Sequence, residues 1–141
     1  MTRVYWDTML FVYWLEGQGE SAARVSAIRS SMANRGDRLC ASNLTLCEML
    51  AFPVKRHDRA GAEQLQTFFA SHALEVLPFP AQAAPRFAAI RAEYGLAPPD
   101  ALHLAIAAIA GVDLFLTNDH RLHRLKIPGI DFIAGLDTNL Y

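Results

Sequence analysis

Short apolar runs alternate with longer stretches of helical period along the whole chain, and no hairpin signal lies between them. The β-prone runs cover residues 4–6, 38–42, 74–77 and 113–117, with 130–133 as a candidate fifth. Helical spacing covers 9–16, ended by Gly17, and 21–33, stopped by Asn34-Arg35-Gly36. A third helix is expected from Thr45, read as its N-cap with Glu48 at the capping-box spacing, and is closed or kinked by Pro53. Further helices are expected over 58–72, 85–94 and 100–110, with a helical turn at 120–125. Strands that alternate with helices predict an α/β fold, a three-layer α/β/α sandwich around a four- to five-stranded parallel sheet. The continuously apolar strands agree, because a parallel sheet is covered on both faces. At 141 residues the chain reads as one domain, 1–141, and 52% hydrophobic against 19% charged residues provides a real core.

Four acids stand at the ends of those apolar segments or interrupt them. Asp7 closes VYWD, Glu48 sits within SNLTLCEML, Asp100 opens DALHLAIA after two prolines, and Asp119 closes DLFLTND. Aspartate competes with the backbone for hydrogen bonds and is a poor choice for an element interior, so these positions need a reason. In open α/β sheets ligands bind beyond the carboxyl ends of the strands. Asp7 and Asp119 fall there if their strands are neighbours, and the helix starts near Glu48 and Asp100 can reach the same edge. Carboxylates about 4 Å apart repel by roughly 4 kcal/mol at an effective dielectric near 20. A divalent cation reverses that sign, and oxygen-only ligation suits Mg²⁺ or Mn²⁺.

The rest of the composition narrows the class. A net charge of −1 offers no global attraction to nucleic acid, so any such binding must use local basic residues and metal. Arg121, Arg124 and Lys126 follow Asp119 closely, and Lys55-Arg56 forms a second basic patch. The two cysteines, Cys40 and Cys47, have neither zinc-site nor disulfide spacing and suit a reduced, cytoplasmic protein. Asp7 interrupts the apolar stretch behind Arg3, so no leader is expected, and the apolar region 101–116 is too short to span a bilayer.

The four motifs in this order resemble the PIN-domain family, most of all its small VapC-type toxin ribonucleases. The matching residues are Asp7-Thr8 after the first strand, LTLCE ending at Glu48, DALHLAIA from Asp100 and FLTND ending at Asp119. The resemblance covers essentially the whole chain. It implies a metal-dependent endoribonuclease, the toxin of a type II toxin–antitoxin pair, with Mg²⁺ or Mn²⁺ as cofactor. Asp7, Asp100 and Asp119 are then metal-site acids and Glu48 a direct or indirect member of the site. Thr8, Thr117 and Asn118 are polar residues beside it. An RNA substrate, a homodimer and a cognate antitoxin that blocks the acidic groove are implied in the same way, as are products with a 5′-phosphate and a 3′-hydroxyl. Water attack needs no RNA 2′-hydroxyl, so the chemistry alone does not exclude DNA.

Competing readings make different demands. A haloacid-dehalogenase-type phosphatase wants DxD after the first strand, and here Met9 stands two residues after Asp7. A receiver domain wants paired acids before its phosphorylated Asp, and none precede Asp7. A catalytically silent PIN-like module that binds RNA or protein is the alternative, and four intact acids argue against it. Asp113, at the far end of its strand, reads as structural. His103 lies on the helical face of Asp100 and can reach the site, while Trp6, Tyr13 and Trp14 read as core or interface rather than base-stacking residues.

Overall fold

A computed structural model describes residues 2–141. Five strands, β1 (Arg3–Trp6), β2 (Arg38–Ser42), β3 (Glu75–Leu77), β4 (Leu114–Leu116) and β5 (Phe132–Ala134), form one sheet in the order β3-β2-β1-β4-β5. Every pairing is parallel. Alternate residues of each strand feed two separate cores, which is why the strands are apolar throughout. Tyr5, Cys40 and Phe115 face helices α5 (Ala83–Tyr94) and α6 (Pro98–Ala110). Val4, Trp6, Leu39, Ala41, Leu114 and Leu116 face the other layer. That layer contains α1 (Thr8–Glu16), α2 (Gly19–Arg35), α3 (Asn43–Lys55) and α4 (Arg59–Phe69).

The chain moves outward from β1 to β2 and β3, then returns to the other side of β1 to form β4 and β5. The reversal makes the β1/β4 boundary the topological switch point. Trp6 is in register with Leu116 there, and the Asp7 backbone N–H donates to the Leu116 carbonyl at 2.9 Å. Asp7 and the segment after β4 are thereby fixed side by side.

The three-layer parallel fold agrees with the sequence, but several boundaries differ. Helix α3 starts at Asn43, not after Thr45: Ser42 is the N-cap, and Thr45 is the third helical residue that completes the box from inside. Glu48 is therefore in the second turn and is not a capping acid. Pro53 lies within α3 rather than ending it. Helix α6 begins at Pro98, with the two prolines at its first two positions, where their missing N–H groups cost nothing. Helix α4 stops at Phe69, the turn after Asp119 is a short 3₁₀ helix, His120–Leu122, and β5 lies later than 130–133. Asp113 accepts the Arg3 backbone N–H at 2.7 Å, a structural role at the opposite sheet edge.

Candidate active site

At the carboxyl edge of β1, Asp7 caps α1. Its Oδ1 accepts the Thr8 backbone N–H at 2.8 Å, and its Oδ2 accepts the Thr117 hydroxyl at 2.7 Å. Thr117 is fully buried just past β4, and its hydroxyl also accepts the Asp119 N–H at 3.1 Å. One side chain thus sets the orientation of Asp7 and the turn that carries Asp119.

Asp100 occupies the third position of α6, half-buried, and its carboxylate accepts no hydrogen bond among the described residues. Burial pushes it above the usual carboxylate range, and the charges of Asp7 and Asp119 push it the same way. Asp119 caps the 3₁₀ turn through the Arg121 N–H. The Arg121 guanidinium also grips it two-handed, Nε to Oδ1 at 3.0 Å and Nη2 to Oδ2 at 2.6 Å. That hydrogen bonding holds Asp119 below its ordinary range. The same Nη2 lies 3.8 Å from Asp100 Oδ2, so one cation spans two acids.

Glu48 approaches from α3. Its Oε1 accepts the Thr8 hydroxyl at 2.8 Å and lies 2.6 Å from His103 Nε2. The His103 hydrogen bond is the main reason its carboxyl is lowered. His103 is buried on α6, three residues past Asp100, with Nδ1 at 2.7 Å from the Tyr5 hydroxyl. Tyr5 in turn is 2.9 Å from Ser42 Oγ.

The fold thus brings Asp7, Thr8, Glu48, Asp100, Thr117, Asp119 and Arg121 to one edge. It does not bring Asn118, whose amide donates to the Tyr13 hydroxyl at 3.2 Å. Arg124 is exposed just beyond the 3₁₀ turn. Lys55 lies seven residues after Glu48, on the same helical face and about 10 Å further along the axis. Arg56 turns instead over the Phe52 ring, 5.9 Å from its centroid. Trp6 is fully buried and Trp14 packs edge-on against it, so both serve the core. Tyr5 and Ser42 were missed in the sequence as site residues; the signal was alternation, which turns Tyr5 toward the α6 face and His103.

The sequence profile of the PIN domain matches residues 4–128. The chain belongs to the PIN-domain family. Its fold is similar to a chain of DNA-bound VapBC from Salmonella typhimurium, at 25% identity and TM-score 0.73, covering 96% of this chain and 99% of that one. It is similar too to a chain of VapBC2 from Rickettsia felis bound to a promoter DNA fragment, at 17% identity, TM-score 0.75 and coverage of 95% and 98%. VapBC-5 from Mycobacterium tuberculosis follows at 21% identity, TM-score 0.59 and coverage of 94% and 98%. No curated protein sequence matches the chain. Among the described residues no helix is long and apolar enough to cross a membrane.

As this PIN edge stands, no group of three His, Cys, Asp or Glu side chains among the described residues is assembled to hold a metal ion. The donor chemistry nonetheless fits a hard divalent cation, being carboxylate oxygen throughout. Asp100 has no donor of its own and feels two like charges, and a guanidinium already lies against the cluster.

Proposed function

We propose that this PIN domain is a divalent-metal-dependent endoribonuclease, the cytoplasmic toxin of a type II toxin–antitoxin pair. The observation that carries the reading is Asp100, an acid without a hydrogen-bond donor among the described residues, its carboxyl raised by burial first and then by the charges of Asp7 and Asp119, at the switch point of a parallel sheet. Asp7, Asp100 and Asp119 would hold Mg²⁺ or Mn²⁺, with Glu48 as a fourth acid. A bound cation of this kind would lower the pKa of a water and screen the charge on the scissile phosphate. The chain's own residues do the rest. Thr117 and the Thr8 N–H fix both oxygens of Asp7, so that acid is set before any ligand arrives. Thr8 and His103 hold one oxygen of Glu48. Arg121 and Arg124, beyond Asp119, would meet phosphate, with Lys55 further along the Glu48 face of α3.

The solved relatives are toxin–antitoxin complexes, and a cognate antitoxin is proposed as the partner here. Its natural berth is a groove of about 530 Å³ between α1, α3 and α4, lined by Trp14, Leu15, Met49, Phe52, Leu65 and Phe68. Helices α1 and α3 both start at the acidic edge, so a segment lying in this groove runs toward the acids. A homodimer is part of the same proposal, and light scattering tests it: a monomer at high concentration removes it.

A second reading, a silent PIN module that binds RNA or protein, draws on the unassembled acids and on Arg121 lying across two of them. One experiment separates the two. Total cellular RNA is incubated with the purified protein and Mg²⁺ or Mn²⁺, beside EDTA and Asp7→Asn controls, and new 5′ ends are sequenced. Discrete cuts that need both metal and Asp7 are expected. An absence of cuts together with an absence of metal binding establishes the silent module.

A further inference from the structure

Among the described residues the buried polar side chains are Ser42, Thr45, His103 and Thr117. Thr117 holds Asp7; the other three belong to a single chain of hydrogen bonds that ends on Glu48. The Ser42 hydroxyl oxygen accepts the Thr45 backbone N–H in the α3 capping box. The Ser42 and Tyr5 hydroxyls hydrogen-bond at 2.9 Å, and the Tyr5 hydroxyl and His103 Nδ1 hydrogen-bond at 2.7 Å. At the far end the Glu48 carboxylate can only accept, so His103 Nε2 carries a proton and donates to Oε1 at 2.6 Å. No member is left without a partner.

Such a chain is not the cheapest way to fill a core. Apolar residues of the same shape are close to neutral in stability, whereas a half-satisfied polar set is costly. Its four members come from β1, the β2–α3 junction and α6, the elements that meet beneath the acidic edge. At the outer end Oε1 receives two donors, His103 and Thr8, while Oε2 has no partner among the described residues. A carboxylate held by one oxygen presents the other in a fixed direction.

We propose that His103 is a positioning residue: held by Tyr5 and Ser42, it fixes Glu48 through Oε1 so that Oε2 is delivered to the cation site. The inference rests on the metal-dependent reading of the edge, and its test includes a measurement that does not.

The test is Mn²⁺ affinity by calorimetry, with Tm in EDTA recorded for each variant. His103→Leu should lose about tenfold or more in affinity, the range for removing the residue that orients a ligand. His103→Gln, whose amide N–H reaches the same oxygen, should recover most of it. Should His103→Leu fail to fold, Tyr5→Phe/His103→Leu removes both partners together and avoids an orphaned hydroxyl. Leucine variants that fold and bind Mn²⁺ like the wild type overturn the proposal. In the metal-free protein, nitrogen-15 NMR should find a slowly exchanging Nε2 proton that Glu48→Ala releases. If wild type binds no Mn²⁺, the metal reading fails, and that proton alone decides the positioning role. Its absence, or its indifference to Glu48, overturns that role as well.

Discussion

Asp100 shows best how single residues here trade stability against chemistry. Its place in the first turn of α6 favours negative charge, typically by 0.3–1 kcal/mol. Burial and the charges of Asp7 and Asp119 act the other way and win, since the net effect raises its carboxyl. A group raised on folding stabilises the folded state fully below its unfolded pKa, and that stability is lost as pH rises through the folded value. Asp100→Asn should therefore raise Tm in EDTA at pH 7 by about 1–3 °C, a sub-kcal/mol gain in a chain of this size. The gain should vanish below about pH 3.5, where the acid is protonated in both states. Calorimetric melts across pH check this, and a lower Tm at pH 7 would count against the clustered acids. Arg121 makes a second case. Its guanidinium is 78% exposed yet committed to Asp119, so it competes with any incoming cation. Arg121→Ala should tighten Mn²⁺ binding by up to about fivefold, the scale of an exposed ion pair, while slowing RNA cleavage at saturating metal. Calorimetry and single-turnover cleavage moving in the same direction would remove its dual role. The four acids were legible in the sequence because each sits where an acid is costly. The supports of Glu48 were not, because Tyr5 and Ser42 look like ordinary strand residues until the pairing of β1 with β2 puts Ser42 two residues past Cys40, the register partner of Tyr5, within reach of its hydroxyl.

Elements were legible where their punctuation was local. Gly17, Gly36, Gly95 and Gly111 all end helices in the left-handed conformation, as their positions in the sequence suggest. Helix starts were harder, because a cap depends on which of several hydroxyls meets a free N–H. In SNLT both Ser42 and Thr45 qualify, and the end of β2 at Ser42 decides for Ser42. Thr45 still matters as the partner inside the box, its Oγ1 accepting the Ser42 N–H at 3.4 Å. Ser42 therefore does three jobs: it ends β2, caps α3 and supports Tyr5. Ser42→Ala should cost about 1–2 kcal/mol, the upper part of the range for a lost N-cap. Urea unfolding measures this, and a cost below about 0.5 kcal/mol would show that water replaces the cap. The same variant should weaken Mn²⁺ binding, because α3 carries Glu48 and the Tyr5 hydroxyl, left with His103 as its one partner among the described residues, holds that ring less firmly.

At the scale of the whole molecule, a parallel α/β sandwich was readable from alternation alone, but the strand order β3-β2-β1-β4-β5 was not. No local residue pattern states that β4 lies beside β1; the pairing follows from two cores closing on opposite faces of one sheet. That order creates the acidic edge and, on the outer layer, leaves α1, α3 and α4 with an apolar groove. Phe52 and Leu15 line it at 55% and 53% exposure, beside Trp14 and Phe68. Side chains of this size left in water on adjoining helices fit the apolar face of a partner helix, read at i, i+3, i+4 spacing. The rim carries Glu16, Asp58 and Arg56, so the same berth can choose its partner by charge. Phe52→Glu tests the idea without touching the acids. Because Phe52 is already exposed, Tm in EDTA should stay within about 2 °C of wild type. RNA cleavage by the free protein should be unchanged. On co-expression with the proposed antitoxin, the variant should elute free from size exclusion where wild type is expected to elute as a complex, and cells should lose protection from it. A variant that still elutes as the complex places the antitoxin elsewhere, and one that loses cleavage as well ties the groove to the substrate.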